Sequence, residues 1–105
     1  MFAFGAVVLI GMPNPDLEEL QQERLWIITS ELEAARGFID LAQTARLLGD
    51  HEHPARLLRK AENAIEVVDR LLGELTPGGE KLRLSGEVEA LKNELGHLAK
   101  LLRNE

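Results

Sequence analysis

The chain has 105 residues, of which 45% are hydrophobic and 29% charged, a composition that fits one soluble domain with a single core. Its formal net charge of −6 argues against binding to the phosphate backbone of nucleic acid. Because the chain contains no cysteine, disulfides, thiolate catalysis and cysteine-ligated zinc or iron–sulfur sites are excluded.

The first twelve residues, MFAFGAVVLIGM, carry no charged or polar side chain. A membrane-spanning helix needs about 20 apolar residues, so no transmembrane span is predicted here. The segment lacks the basic start and the small-x-small cleavage site of a secretory signal peptide, although a start further upstream would give an exported form. Valine, isoleucine and phenylalanine favour a strand that ends at Pro13. We therefore expect an apolar, strand-like arm over residues 1–15 of a cytoplasmic protein.

A helix-start signal follows at Asn14 and Asp16, and Gly37 is the one residue that weakens the helical pattern from there to Leu48. Two apolar rows run along this first helix, which predicts a wide stripe that contacts two neighbours. The first row is Leu25, Ile28, Leu32, Ala35, Ile39 and Ala42. The second row is Ile27, Ala34, Phe38, Leu41, Ala45 and Leu48.

The first helix is predicted to end at Gly49 in the left-handed conformation, with Asp50 capping the second helix. The second helix, at about 51–75, carries leucines, alanines, valine and isoleucine on one face. It ends at the break Thr76-Pro77-Gly78-Gly79, the clearest in the sequence.

The third helix, at about 80–103, carries a narrow heptad seam of the kind found in coiled coils and outer bundle helices. Residues 81–84, KLRL, alternate and would also suit a brief extended piece, but we favour helix. Short connections make successive helices antiparallel. The sequence therefore predicts an all-α, up-down-up bundle of three helices over residues 16–105, with the first helix at about 16–48.

Charge is unevenly distributed along the bundle. From Asp16 to Glu52 there are nine acids and three bases, whereas from Pro54 to Glu105 there are nine of each. We interpret the acidic half as a solvated acidic face, and attraction of a basic partner is the alternative interpretation.

The run Asp50-His51-Glu52-His53 places two imidazoles and two carboxylates, which are common metal ligands, within four residues. It lies in a helix–helix turn, and His97 falls off the seam of the third helix. We interpret the run as a solvated capping turn rather than a metal site, and we expect no catalytic residues, metal or other cofactor.

Glu62, Glu66 and Asp69 stack along the second helix at helical spacing, where they would bind magnesium if acids from another helix joined them. Glu66-Val67-Val68-Asp69 resembles the Glu-x-x-Asp pair of all-helical nucleotide pyrophosphatases of the MazG type, which implies a metal-dependent hydrolase. The Glu-x-x-Glu pair of that family has no counterpart in the first helix. We interpret the three acids as a charged outer face of the second helix, with the metal-dependent hydrolase as the alternative.

Residues 37–75 resemble the helical hairpin that dimerises and carries the phosphoryl group in sensor histidine kinases. The resemblance rests on Gly37-Phe38-Ile39-Asp40-Leu41 and on the leucine-rich return helix. It implies a regulatory hairpin that pairs into a four-helix bundle and binds a receiver or kinase. In that family the phosphoacceptor histidine falls about eleven residues before the glycine, where this sequence has Trp26. A hairpin of this kind would not accept a phosphoryl group in the usual way.

We expect a small non-enzymatic interaction or adaptor protein, bacterial in style, that self-associates, with a dimer favoured and a further protein partner possible. The phosphorelay-type hairpin is the alternative function, and a metal-dependent hydrolase is the third. The interface candidates are the arm, the seam of the third helix, and Trp26, which lies off the apolar stripe. By residue they are Phe2, Phe4, Val7, Val8, Leu9, Ile10, Trp26, Leu91, Leu95, Leu98 and Leu102.

Overall fold

The computed structural model of the chain describes residues 15–50 and 52–104, and these residues form three α-helices and no strand. The helices are α1 (Pro15–Leu47), α2 (His53–Glu74) and α3 (Gly79–Arg103). All three pairs of helices are in contact. The predicted all-α, up-down-up bundle is therefore confirmed. The strand predicted in the N-terminal arm lies outside the described residues.

Helices α1 and α2 share the most extensive contact of the three helix pairs. Small side chains contribute to the core on both helices, since Ala35 and Ala42 of α1 and Ala61 of α2 are completely buried and Ala64 is nearly so. Methyl side chains hold two helix backbones apart less than leucines do, because the interaxial distance follows side-chain size. The buried alanines are therefore compatible with a close α1–α2 hairpin.

Helix α3 packs on the hairpin through larger side chains. The buried members of its seam are Leu84, Val88, Leu91, Leu95 and Leu98. They join one core cluster with the buried residues of α1 and α2. No polar or charged residue is buried in the part of the chain that the structure describes, so this core is held together by apolar burial alone.

Ion pairs at the edges show which side of α1 each neighbour occupies. Arg24 Nε lies 3.1 Å from Glu74 Oε1 at the end of α2, and Arg36 Nη2 lies 3.5 Å from Glu87 Oε1 on α3. Exposed pairs of this kind contribute between about 0 and 1 kcal/mol each. They show how the helices are aligned along their lengths, and they contribute little to the stability of the fold.

The α1–α2 turn forms as the sequence predicts. Gly49 has φ of +90°, in the left-handed region that glycine enters without a steric penalty. The Asp50 N–H donates to the Ala45 carbonyl at 3.0 Å, and the Gly49 N–H donates to the Arg46 carbonyl at 3.0 Å. This pair of bonds is the Schellman motif, which satisfies carbonyls at the helix end.

The uncertain stretch 81–84 is helical, because α3 begins at Gly79. Arg83 supports this first part of the helix by binding acids one turn away on both sides, at 3.0 Å from Glu80 Oε2 and 2.7 Å from Glu87 Oε2. Leu84 then enters the core. Tertiary burial and local charge pairing both favour the helix here.

Because Ala61 is completely buried, a larger side chain at this position should destabilise the fold. Replacing Ala61 with leucine should lower the free energy of unfolding by about 1–3 kcal/mol, because the core has no room for the extra atoms. Urea denaturation followed by circular dichroism at one fixed protein concentration measures this change. Ala55→Leu on the same helix is the matched control, because Ala55 is exposed. Equal stability of the two variants would contradict the close packing.

Candidate interaction surface on helix α1

Five apolar residues recur at seven-residue intervals on α1 and its C-terminal turn. They are Leu20, Ile27, Ala34, Leu41 and Leu48, and we call them the α1 outer row. Leu48 follows the last helical residue, and its N–H still donates to Thr44 O at 3.1 Å, so the row continues to the turn. The four large members are all exposed, Leu41 by 56% and Leu48 by 81%.

The α1 outer row faces away from α3. Arg36 marks the α3 side of the helix through its pair with Glu87. At about 100° per residue, Ile27, Ala34 and Leu41 lie about 140–180° around the helix from Arg36. This row therefore lies on the side of α1 opposite α3.

The row borders the α2 side of the hairpin instead. Phe38, at the edge of the row, is half-buried against the core, and the Lys60 ammonium of α2 lies 5.9 Å from the centroid of its ring. The sequence correctly predicts that α1 contacts two neighbours. The contacts with α2 and α3 are centred on the first apolar row, however, and the solvent side of the second row is left open.

A shallow apolar groove of about 240 Å³ lies where the row reaches the α1–α2 turn. Leu41 and Leu48 form one wall, and Leu57 of α2 forms part of the other. Its remaining lining residues are Thr44, Ala45 and His53. The groove extends the exposed apolar surface from α1 onto α2.

Trp26 is 71% exposed and lies beside Ile27 of the outer row, on the polar side. It is the single tryptophan of the chain. A large apolar ring in this position adds to the exposed surface next to the row. Its role in an interface stays a prediction.

The other interface candidates are placed differently. Leu91, Leu95 and Leu98 are buried in the core cluster, and Leu102 is half-buried against it. Their seam is therefore occupied within the chain. Phe2, Phe4, Val7, Val8, Leu9 and Ile10 lie outside the described residues. Among the predicted interface residues that the structure describes, Trp26 is the one at the open surface.

Asp50 lies just before α2 in the chain. Its Oδ1 accepts hydrogen bonds from the backbone N–H groups of Glu52 at 3.0 Å and His53 at 3.1 Å. These two bonds hold the pKa of the Asp50 carboxyl below its ordinary value, and the bond from the His53 N–H has the larger effect. The His53 ring nitrogen lies 3.6 Å from Asp50 Oδ2. Asp50 thus bonds to the start of α2 as a capping residue would, but the N-cap position itself is Glu52, whose side chain makes no capping hydrogen bond. His51 lies outside the described residues.

The three stacked acids of α2 lie on its exposed surface. Asp69 accepts a hydrogen bond from Lys92 of α3 at 2.8 Å, and this bond raises the pKa of the lysine. His97 is exposed on α3, as its position off the seam indicates. In residues 15–50 and 52–104, no three histidine, aspartate or glutamate side chains converge on a point where a metal ion would fit.

Comparisons with protein-family models, with characterised proteins and with solved structures found no match to this chain. None of the helices in the described part of the chain combines the length and the apolar character needed to cross a membrane.

The cap predicts a pH-dependent contribution to stability. Because the pKa of Asp50 is lowered in the folded state, its stabilisation is present above about pH 4 and is lost as the pH falls through the folded-state pKa. Asp50→Ala should be less stable than the parent protein at pH 7, and the difference should shrink in acid.

Thermal denaturation at a series of pH values checks this expectation. Asp50→Asn is the matched control, because asparagine also caps helices but does not titrate in this range. A difference between the parent protein and Asp50→Ala that is constant down to pH 2 would contradict the assignment.

Proposed function

We propose that this protein is a small non-enzymatic helical interaction module that self-associates through the α1 outer row. The observation that supports the proposal is the line of exposed apolar side chains at Leu20, Ile27, Leu41 and Leu48 on a bundle whose core is otherwise closed. Single exposed leucines are common on protein surfaces and need no explanation. The α1 outer row supplies one apolar position every seven residues, so it can contact a second helix along its length. The second apolar position of a coiled-coil heptad is absent, because Glu23, Ser30, Gly37 and Thr44 stand there.

The energy available from such a surface supports association. Burial of apolar surface contributes roughly 25 cal/mol per Å², so four large side chains that are now partly in water supply a substantial driving force. Helical partners also lose little conformational entropy, because α1 is already folded over its 33 residues. A surface of this kind is well suited to a folded helical partner.

The charged residues support a binding role rather than a catalytic one. Cross-helix contacts such as Lys92–Asp69 and Arg36–Glu87 pair acids with bases on the exposed surface. The Glu62–Glu66–Asp69 stack, which would serve a hydrolase, has one member engaged by lysine. The acidic first half of the chain supports a further partner of basic character, in keeping with electrostatic complementarity at interfaces.

A second candidate is the regulatory hairpin that resembles the dimerisation domain of histidine kinases. The antiparallel packing of α1 and α2, with the Gly37–Leu41 element in the C-terminal half of α1, favours it. In this proposal two hairpins pair in parallel, and Trp26 at the acceptor position makes the hairpin regulatory. The relative direction of the paired helices therefore distinguishes the two candidates.

Charge placed in the outer row tests the proposed function. Leu41→Glu should weaken self-association by about tenfold or more, because the substitution puts a carboxylate into an apolar contact in both copies. Light scattering over a range of protein concentrations measures the mass, and acrylamide quenching of Trp26 fluorescence reports its exposure. Leu82→Glu is the matched control, because Leu82 is a 76% exposed leucine on α3, away from the row.

Two results would overturn the proposal. One is a monomer at all concentrations in the parent protein, and the other is equal association of the Leu41→Glu and Leu82→Glu variants. A dimer that dissociates when residues 1–12 are deleted, and that Leu41→Glu leaves intact, would assign self-association to the arm instead.

A further inference from the structure

The α1 outer row is symmetric in side-chain size about its midpoint. Ala34 is the small residue at the centre, Ile27 and Leu41 lie seven residues to either side, and Leu20 and Leu48 lie fourteen residues away. A two-fold dimer interface must be complementary to itself, so each residue meets a partner that meets it in return. A size-symmetric row satisfies this requirement when two copies run in opposite directions.

Charge along α1 is strongly asymmetric. The half from Pro15 to Ala34 carries six acids and Arg24, a formal charge of −5. The half from Ala35 to Leu48 carries Asp40 and two arginines, a formal charge of +1. Parallel pairing in register would bring the two acidic halves together, which is unfavourable. Antiparallel pairing brings each acidic half against the weakly basic half of the other copy.

Gly37 adds a third observation at the same place. It lies within a continuous helix, where glycine is less stable than alanine. Among the described residues, and apart from the nearby backbone of α1 itself, no atom lies within 4 Å of the point where its Cβ would be. Neither intrachain packing nor a positive φ requires glycine at this position. Together with Ser30 and Ala34 on adjacent turns, it makes the centre of the face smooth enough for a close helix approach.

We propose that the α1 outer row binds the same row of a second copy, antiparallel, about a two-fold axis at Ala34. This inference rests on the proposed self-association and specifies its geometry. Ile27 then packs against Leu41 of the partner subunit. Leu20 meets Leu48 of the partner subunit beside the apolar groove at the α1–α2 turn. Both ends of the row are buried at once.

Distances between spin labels test the direction of pairing, and the cysteine-free sequence makes labelling specific. Single cysteines replace the exposed residues Gln22, Glu33 or Leu47, which lie off the row. With 1.5 Å per residue and an axis at Ala34, the two copies of each position are displaced along the helix by about 36, 3 and 39 Å. Electron paramagnetic resonance on the full-length dimer should therefore give two long distances and one short one.

The possible outcomes separate this inference from the proposed function. Three short and similar distances would show a parallel dimer. That result would overturn the antiparallel geometry but leave the proposed self-association standing, and it would favour the regulatory hairpin. A labelled protein that is monomeric by light scattering would overturn both. Long distances at positions 22 and 47 with a short distance at position 33 would support both proposals, provided that Leu41→Glu abolishes the dimer and this distance pattern together.

Gly37→Leu supplies a second test that does not depend on labels. The space around Gly37 within one copy is open, so the variant should keep its helix content and thermal stability as a monomer. The new side chain should block the close approach of two copies and weaken dimerisation about tenfold or more. Gly86→Leu on α3 is the matched control, because its surroundings are equally open. Equal dimerisation of the two variants would overturn an axis near Ala34.

Discussion

The close contact between α1 and α2 governs the rest of the structure. The core of these two helices includes buried alanines, Ala35 and Ala42 from one helix and Ala61 and Ala64 from the other. Because methyl groups allow the backbones to come near each other, a narrow face of α1 is enough to build the hairpin. Helix α3 then covers one side with leucines. The remaining apolar side of α1 has no neighbour among the described helices.

This arrangement separates two kinds of surface. Polar groups of the described residues have local structural roles, as Asp50 does in capping α2 and Lys92 does in pairing with Asp69. These contacts are exposed and individually weak. The α1 outer row has the opposite character, since its four large side chains are apolar and exposed. The proposed interaction surface rests on this contrast.

Local chemistry was a reliable guide where structure depends on neighbouring residues. The helix ends, the left-handed Gly49 and the Asp50 cap all follow from steric freedom and from backbone groups within a few residues. The stretch 81–84 was ambiguous for the same reason, because its alternation suits a strand locally. Its helical state depends on Leu84 reaching the core and on Arg83 binding acids one turn away.

The sequence by itself determined that the bundle is all-α, where its helices begin and end, and which residues are apolar on each face. Tertiary structure decided which apolar faces are used within the chain. The seam Leu91–Leu95–Leu98 has the pattern of an interface between subunits but lies in the core, whereas Leu41 and Leu48 have the pattern of a core but lie at the surface. The physical reason is that apolar burial has no direction or partner preference. An apolar row in the sequence shows which side chains gain by burial, and only the positions of the other helices decide which of them the described part of the chain buries.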